Sequence, residues 1–218
     1  SKKVLIITAL FCGLAFWGMS RLKTEAYIVD DLPKSDKIYT DLKFFEKHFK
    51  GIMPLEIWID TKKKNGLSGM KSLSVFEKTD SLSAYIQSQP SMNRPLSLAE
   101  GLKFAKQAFY DNDTAQYLMP NSFDGAFVAD YLRPAKKGTK ATNSLSKIQQ
   151  RFIDSSRRYT RMSVNMADVG TKNLPGVLEQ LQKKATEIFD TTFNVTLTGT
   201  TITFQEGSRY IINGLKES

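Results

Sequence analysis

The chain has 218 residues, of which 41% are hydrophobic and 24% are charged. This length and composition suit one folded domain with additional segments and exclude a disordered chain. The formal net charge is +9, but the cations lie in three separate groups, at residues 62–64, 136–140 and 157–161. Nucleic-acid binding requires cations gathered on one surface, so we expect no nucleic-acid partner. We interpret the basic groups as solvated surface, with anionic lipid head groups as an alternative contact.

The first apolar segment, Val4 to Met19, contains no charged residue and is flanked by lysine and arginine. Sixteen helical residues extend about 24 Å, less than the roughly 30 Å of a bilayer's hydrocarbon core, although flanking basic side chains lengthen a span by snorkelling. We predict a transmembrane helix over residues 1–23. A signal peptide and a buried helix are the alternatives, and no Ala-x-Ala cleavage motif follows the apolar run.

One cysteine and one histidine leave no disulfide and none of the common zinc or triad sites. Cys12 lies in the apolar segment, and His48 lies beside the apolar stripe of a predicted helix. No complete phosphate-loop, calcium-loop or nucleophile-elbow motif occurs. We therefore predict no enzyme activity, no catalytic residue, no cofactor and no metal site. An enzyme that uses the strand-end carboxylates Asp60 or Asp168 is the alternative.

After a short extended segment, residues 35–51 predict an amphipathic helix. Ser35 is its expected N-cap and Gly51 its expected end. Its apolar stripe consists of Ile38, Leu42, Phe45 and Phe49.

Residues 53–96 predict a strand, a helix and a shorter strand. Apolar and polar residues alternate through 54–60, which predicts a strand with one buried face. The following helix is predicted from Ser68 to Ser88. Its inward-facing residues are expected to be Leu73, Phe76, Leu82, Tyr85 and Ile86. Pro95 confines the last strand to a sheet edge, because proline cannot donate to a central ladder.

Residues 97–150 predict a helical insertion. Ser97 to Glu100 match the capping box S-x-x-E, in which the two side chains cap the first helical turn. From Asp113 the pattern loosens into two short helical pieces, near 115–119 and 123–132, followed by a polar loop.

The clearest unit lies at residues 157–199. Side chains alternate from Tyr159 to Met166, then apolar residues recur at helical spacing, and alternation returns from Phe193 to Leu197. The recurring apolar residues of this helix are Leu174, Val177, Leu178, Leu181, Ala185 and Ile188. Two βαβ units around one sheet predict an α+β domain over residues 24–199, of the ferredoxin-like split β-α-β type, with a helical insertion and a preceding transmembrane helix.

The sheet is expected to have one face covered by helices and one open face. The open face would present Glu56, Trp58, Tyr159, Arg161, Asn194 and Thr196. A mixture of aromatic and polar side chains suits a cleft for amphiphilic molecules, so these six residues are the candidate substrate cleft. The alternative is that this face packs against another domain without touching a substrate.

Several short motifs follow one another along nearly the whole chain. They are Thr24-Glu25, Asp30-Asp31-Leu32-Pro33, the segment from Leu42 to Gly51, the segment from Pro54 to Thr61, the segment from Ser97 to Lys103, and the segment from Leu197 to Thr200. In order and spacing they resemble the resistance-nodulation-division (RND) exporters, in particular the MMPL-like branch of hydrophobe and lipid exporters. Members of that branch often have two glycines where this chain has Lys50-Gly51.

The resemblance implies an extracytoplasmic porter domain of a proton-driven exporter, more similar to the loop of the second half of such transporters. It would lie on the periplasmic side of the bacterial inner (cytoplasmic) membrane. Its expected partners are a hydrophobic or amphiphilic substrate, the other porter domain and membrane helices of the same transporter, and membrane lipid. In such exporters the proton-carrying residues lie in later membrane helices, so none is predicted here.

The chain begins without methionine and ends within a helical pattern at residues 200–218. We therefore expect it to be part of a longer protein, with the last helix leading to the next membrane span. A membrane-anchored binding or assembly module without transport activity is the alternative.

Overall fold

The computed structural model describes residues 2–21, 27, 32–69, 72–124 and 149–217. The helices are α1 (Lys2–Ser20), α2 (Lys37–Phe49), α3 (Leu73–Ser88), α4 (Leu98–Phe109), α5 (Gly170–Phe189) and α6 (Thr200–Glu217). The strands are β1 (Met53–Asp60), β2 (Leu96–Ser97), β3 (Tyr159–Met166) and β4 (Asn194–Thr198). The predicted α+β class is confirmed.

The four strands form one sheet in the order β2-β3-β1-β4, and all neighbouring strands are antiparallel. Strands β1 and β2 therefore run in the same direction with β3 between them. Strands β3 and β4 likewise run in the same direction with β1 between them. Each strand–helix–strand unit is thus split by a strand of the other unit, and β2 lies at the edge, as Pro95 predicted.

One face of the sheet carries the hydrophobic core. Along β1 the residues Leu55, Ile57 and Ile59 are fully buried, and their partners on β3 and β4 point to the same side. Helices α3 and α5 complete this core with Phe76 and Phe189, both fully buried. Further buried core residues from these helices and α4 are Leu73, Leu82, Ile86, Leu102, Leu174 and Leu181.

The chain enters and leaves the sheet at the same end. Gly51 lies against the backbone of Met166 at the end of β3, and Gly199 lies against Pro54 at the start of β1. The Thr201 hydroxyl donates a hydrogen bond to the Pro54 carbonyl at 2.8 Å, which fixes the start of α6 beside β1. Helices α2 and α6 therefore connect to one end of the sheet.

Two of the predicted helix starts, those of α2 and α3, are corrected. The N-cap of α2 is Asp36, not Ser35, because the Asp36 carboxylate accepts a hydrogen bond from the Ile38 amide at 2.9 Å. Serine and aspartate are both good N-caps, so the sequence left this choice open. Helix α3 begins at Leu73 rather than Ser68, because the chain makes a further turn through Gly69, whose φ is 68°.

The capping box at Ser97 is wrong in mechanism although the helix start is right. The Ser97 side chain makes no capping hydrogen bond, and its hydroxyl oxygen is buried without a partner among the described residues. Glu100 instead turns toward Lys103, Arg94 and Tyr117. Opposite charges compete successfully with a neutral backbone amide for the carboxylate.

The first of the two short helical pieces of the insertion is a 3-10 turn at Thr114–Gln116. A second 3-10 turn, Ser122–Asp124, lies at the start of the other predicted piece. The rest of the second piece and the polar loop, at residues 125–148, lie outside the described residues. Within the described part, Asp124 is only 6% exposed and pairs with Lys106 of α4 at 2.9 Å. The Tyr110 hydroxyl donates to Asp124 at 2.9 Å, so this turn is held on α4 by polar contacts.

A second polar network, nearer the start of α4, also holds the insertion. Lys103 bonds Asp80 of α3 at 2.6 Å and Glu100 at 2.7 Å, and Tyr117 donates to Glu100 at 2.7 Å. Burial acts to raise the pKa of Glu100, but the hydrogen bonds from Lys103, Tyr117 and Arg94 outweigh it and hold that pKa below its usual value. This network joins α3, α4 and the turn after α4.

Replacing Glu100 by glutamine is expected to lower the free energy of unfolding by about 2 kcal/mol or more, because it leaves Lys103 and Arg94 without their shared carboxylate. Chemical denaturation of the full chain in neutral detergent measures this. Glu206→Gln is the matched control, since its partner Arg209 and Glu206 itself are exposed, and it should change stability by no more than about 0.5 kcal/mol. Equal effects of the two substitutions would contradict the network's role.

Gly51 is required by its position. Its φ is 145°, and a Cβ there would lie 2.1 Å from the carbonyl carbon and oxygen of Met166. The preceding Lys50 adopts the left-handed conformation with φ 52°, where a glycine would be less strained. Both residues at the end of α2 thus have conformations that favour glycine.

Replacing Gly51 by alanine is expected to destabilise the fold by about 2–4 kcal/mol, because backbone at this site cannot move away from a side chain. Gly176→Ala is the control: it lies in α5 with no atom within 4 Å of an added Cβ, and should be neutral or stabilise by about 0.5–1 kcal/mol. Denaturation curves of both variants check this. A Gly51→Ala protein as stable as the unmodified chain would refute the close approach.

Helix α1 is long and apolar enough to cross a membrane over Lys2–Met19, and none of that window is buried. The buried-helix alternative therefore does not hold within the described residues, and a membrane span or a signal sequence remains.

The apolar stripe of α2 is also unburied, with Ile38 57%, Phe45 50% and Phe49 51% exposed.

Candidate functional site: the open face of the sheet

All six predicted cleft residues lie on the face of the sheet opposite the core. Trp58, at the centre of β1, is the register partner of Arg161 on β3 and of Thr196 on β4. One step along, Asp60 is opposite Tyr159 and Asn194. In the other direction, Glu56 is opposite Ser163 and Thr198. Three adjacent strands therefore place the candidates in one continuous patch, which we call the open face.

An aromatic pair occupies the middle of the open face. The ring centroids of Trp58 and Tyr159 are 6.2 Å apart, with an angle of 59° between the ring planes. Trp58 is 42% exposed, an unusual position for the largest apolar side chain on a central strand. The exposed ring is available to an apolar ligand or to another protein surface.

A shallow hollow lies on each side of this pair. One, of about 390 Å³, is lined by Trp58, Asp60, Tyr159, Asn194, Thr196 and Thr198. The other, of about 430 Å³, is lined by the aromatic pair, Arg161 and the segment 150–154. Both volumes fall within the range of small-molecule sites, and both combine aromatic walls with polar groups.

Arg161 and Glu56 form the charged part of the open face. The Arg161 Nε donates to the Arg151 carbonyl at 2.6 Å, and its Nη1 lies 3.7 Å from the Glu56 Oε2. That oxygen is shielded from solvent and accepts no hydrogen bond within the described residues. An incompletely bonded carboxylate next to an arginine is suited to accept a polar group from a ligand or a facing domain.

Asp60 and Arg158 form a two-point ion pair at the edge of the open face. The Arg158 Nε and Nη2 donate to the two Asp60 oxygens at 2.6 and 2.7 Å. These hydrogen bonds hold the pKa of Asp60 below its usual value, and the same contact raises the pKa of Arg158. A general acid or base has a pKa close to neutral pH, whereas the pKa values of Asp60 and Arg158 are displaced away from neutral pH.

Several lining residues were not predicted from the sequence. Asp60 and Thr198 share the alternation of the predicted set, so that signal could have included them in the cleft. The segment 150–154 carries no periodic signal, and it reaches the face because Ile153 pairs with Thr160 of β3. These two residues are seven apart in the chain, so the segment folds back directly onto the strand that follows it.

The remaining residues considered for chemistry make local contacts. Asp168, the other strand-end carboxylate, accepts a hydrogen bond from the Gly170 amide at 3.2 Å and so stabilises the start of α5. In the described ranges no cluster of three His, Cys, Asp or Glu side chains could hold a metal ion. His48 lies on the exposed α2, not on the sheet, and stacks on Phe44.

Within the described residues, the fold and the site define an α+β domain whose sheet has one helix-covered face and one face, with an exposed aromatic pair, that no helix covers. No model of a known protein family matches the chain, and no curated protein matches it. Its function is therefore inferred from the geometry of the open face and from the motif resemblance.

Replacing Asp60 by asparagine is expected to lower stability at neutral pH, because it removes the ion pair with Arg158 but keeps the oxygen that accepts the Lys62 amide. A carboxyl with a lowered folded-state pKa stabilises the fold above its ordinary pKa of 3.8, and this contribution disappears as the pH falls through the folded value. The difference from the unmodified chain should therefore shrink below that pH.

Denaturation midpoints from about pH 7 to about pH 3 measure this difference. Asp41→Asn, on the exposed surface of α2, removes the same charge without an ion pair among the described residues and should show no such convergence. A gap that is constant across the range would show that the pair does not stabilise the fold.

Proposed function

We propose that this chain is a porter domain of an RND-type exporter of hydrophobic or amphiphilic molecules, with the open face as part of its substrate path. The observation that carries the proposal is the exposed Trp58–Tyr159 pair between two hollows, on a sheet face that none of the described helices covers. Aromatic walls remove apolar groups from water, while Arg161, Glu56 and the polar side chains of β4 suit a head group.

The sheet order β2-β3-β1-β4 supports a ferredoxin-like split β-α-β porter subdomain, which the resemblance implies. In that arrangement two strand–helix–strand units interleave, as β1, β3 and their partners do here. The connection of α2 and α6 to one end of the sheet also supports it. A domain inserted between two membrane helices must return to the membrane on the side from which it came.

The features of α1 support a position next to a bilayer. At its end the Arg21 guanidinium lies 4.8 Å from the centre of the Trp17 ring. Tryptophan and arginine are both common at the interface between hydrocarbon and water, so the pair is typical of the end of a membrane span. On this proposal the open face and α2 lie on the periplasmic side of a bacterial inner membrane.

The partners of the domain follow from two of its unburied surfaces, the stripe of α2 and the open face. The stripe of α2, with Phe45 and Phe49, suits packing against the other porter domain or the membrane helices of the same transporter. The open face, by contrast, mixes rings with charge, which suits transient contact with an amphiphile. A face that bound another domain permanently would be more uniformly apolar.

In the parent transporter, Trp58→Ala is expected to reduce export of a hydrophobic dye by about fivefold or more, because it removes the central ring of the open face. Export from dye-loaded cells measures this. Protein abundance should be unchanged, since Trp58 is 42% exposed and is not part of the core. A protonophore is expected to abolish export by the unmodified protein.

Two substitutions control this experiment. Trp58→Phe keeps an aromatic ring and should retain most of the export. Phe104→Ala removes another exposed ring, 64% exposed on α4, and should leave export unchanged. Normal export by Trp58→Ala would remove the open face from the substrate path, whereas an unmodified parent protein that exports nothing would favour the anchored binding or assembly module.

A further inference from the structure

The end of the sheet opposite α6 carries a basic turn that the porter proposal does not use. We call residues 61–67 the lysine turn, because they include Lys62, Lys63 and Lys64. The turn faces the segment 191–193, which precedes β4, across a cleft of about 740 Å³. It is the largest of the three hollows described here.

The backbone of the lysine turn is held in place. The amides of Thr61, Asn65 and Leu67 donate to carbonyl oxygens of residues 156–158 at 3.0, 3.0 and 2.9 Å. The Thr61 hydroxyl donates to the Arg158 carbonyl at 2.9 Å. The turn is thus fixed to the segment that precedes β3, and a fixed backbone reduces the entropy lost when a ligand binds.

The positive charge of the cleft exceeds the negative charge next to it. Its lining contains three lysines and, among the described residues, no carboxylate. Asp60 attracts Lys62, but both Asp60 oxygens already accept hydrogen bonds from Arg158, and Asp190 pairs with Lys78 at 2.6 Å. The Lys62 ammonium donates to the neutral Thr191 carbonyl at 2.8 Å, across the cleft.

Neutral donors line the same cleft. The Ser68 hydroxyl oxygen is buried and has no hydrogen-bond partner within the described ranges. The first turn of the 16-residue helix α3 reaches the cleft at Ser74 and Val75. Its N-cap residue, Ser72, provides no side-chain cap, so this helix end still carries its partial positive charge.

The cleft also has an apolar wall. Phe193 and Val75 line it, and Phe193 stacks edge-on against the buried Phe189 with ring centroids 5.7 Å apart. Lysines, hydroxyl groups and a helix N-terminus together suit a tetrahedral oxyanion, for which lysine acts as a point charge. The apolar wall suits an organic group attached to that oxyanion.

We propose that the cleft beside the lysine turn binds a phosphate group carried on an organic molecule or a lipid. The site lies about 26 Å along β1 from the end at which α2 and α6 join the sheet. A head group of the bilayer that would hold α1 is therefore distant, which favours a ligand from the surrounding solution. The phosphate site needs only the cleft, whereas the preference for a dissolved ligand over a lipid rests on the proposed function.

The test uses the full 218-residue chain in neutral detergent, with amide chemical shifts as the readout. Three probes distinguish the sources: inorganic phosphate, glycerol 3-phosphate, and nanodiscs with or without phosphatidylglycerol. Shifts at Lys63, Ser68 and Thr192 are expected with glycerol 3-phosphate, at lower concentrations than with inorganic phosphate. Shifts only with phosphatidylglycerol would assign the phosphate to a lipid, and no shift with any probe would overturn the proposal.

Two variants, each with three lysines replaced, distinguish binding in the cleft from a general effect of net charge. The cleft triple replaces Lys62, Lys63 and Lys64 by glutamine. It should weaken binding of the responding probe by about tenfold or more. The control triple should bind normally; it replaces the exposed residues Lys34, Lys172 and Lys183 by glutamine. Equal weakening by both triples would overturn the site.

Ser68→Ala provides a test that changes no charge, so it remains informative if the cleft triple is poorly folded. It is expected to weaken binding about threefold or more through loss of one hydroxyl donor. Unchanged affinity in Ser68→Ala together with unchanged affinity in the cleft triple would place the phosphate elsewhere.

Discussion

Strand β1 is hydrogen-bonded along both edges, to β3 and to β4, and the rest of the domain depends on that double register. Side chains alternate strictly across a strand, so a shift of one residue would bring Trp58 into the core and Ile57 to the surface. The fully buried Leu55, Ile57 and Ile59 oppose such a shift, because each would lose its apolar environment. The composition of the open face is therefore fixed by the packing of the opposite face.

This dependence explains what could be predicted from sequence. Period-two alternation in β1, β3 and β4 gave both faces correctly, since all three strands are long enough to show it. It also grouped Glu56, Trp58 and Arg161 before any pairing was known. The arrangement of β1 between β3 and β4 is a long-range property, and it was predicted only through the rule that two such units tend to share one sheet.

Predictions from local capping motifs were wrong where more than one residue could make the capping hydrogen bond, or where the capping side chain had other partners. Asp36 replaced Ser35 as a cap because either can accept an amide hydrogen. At Ser97 the motif was present, but Glu100 found stronger partners in Lys103 and Arg94, which a motif search does not weigh. The segment beside Trp58 at residues 150–154 was missed for a different reason: it folds back onto β3 through the bridge from Ile153 to Thr160, and its composition has no period.

Because α2 and α6 attach at one end of the sheet, a rotation of these helices would move the opposite end of the sheet farther than the attached end. Strand β1 extends about 26 Å from that end, so a tilt of about 10° in the supporting helices would displace the far turn by about 5 Å. The interior would not need to repack, because the whole sheet would swing with its core intact. Small rotations at the base would therefore be amplified into large changes in the width of any gap that the open face borders.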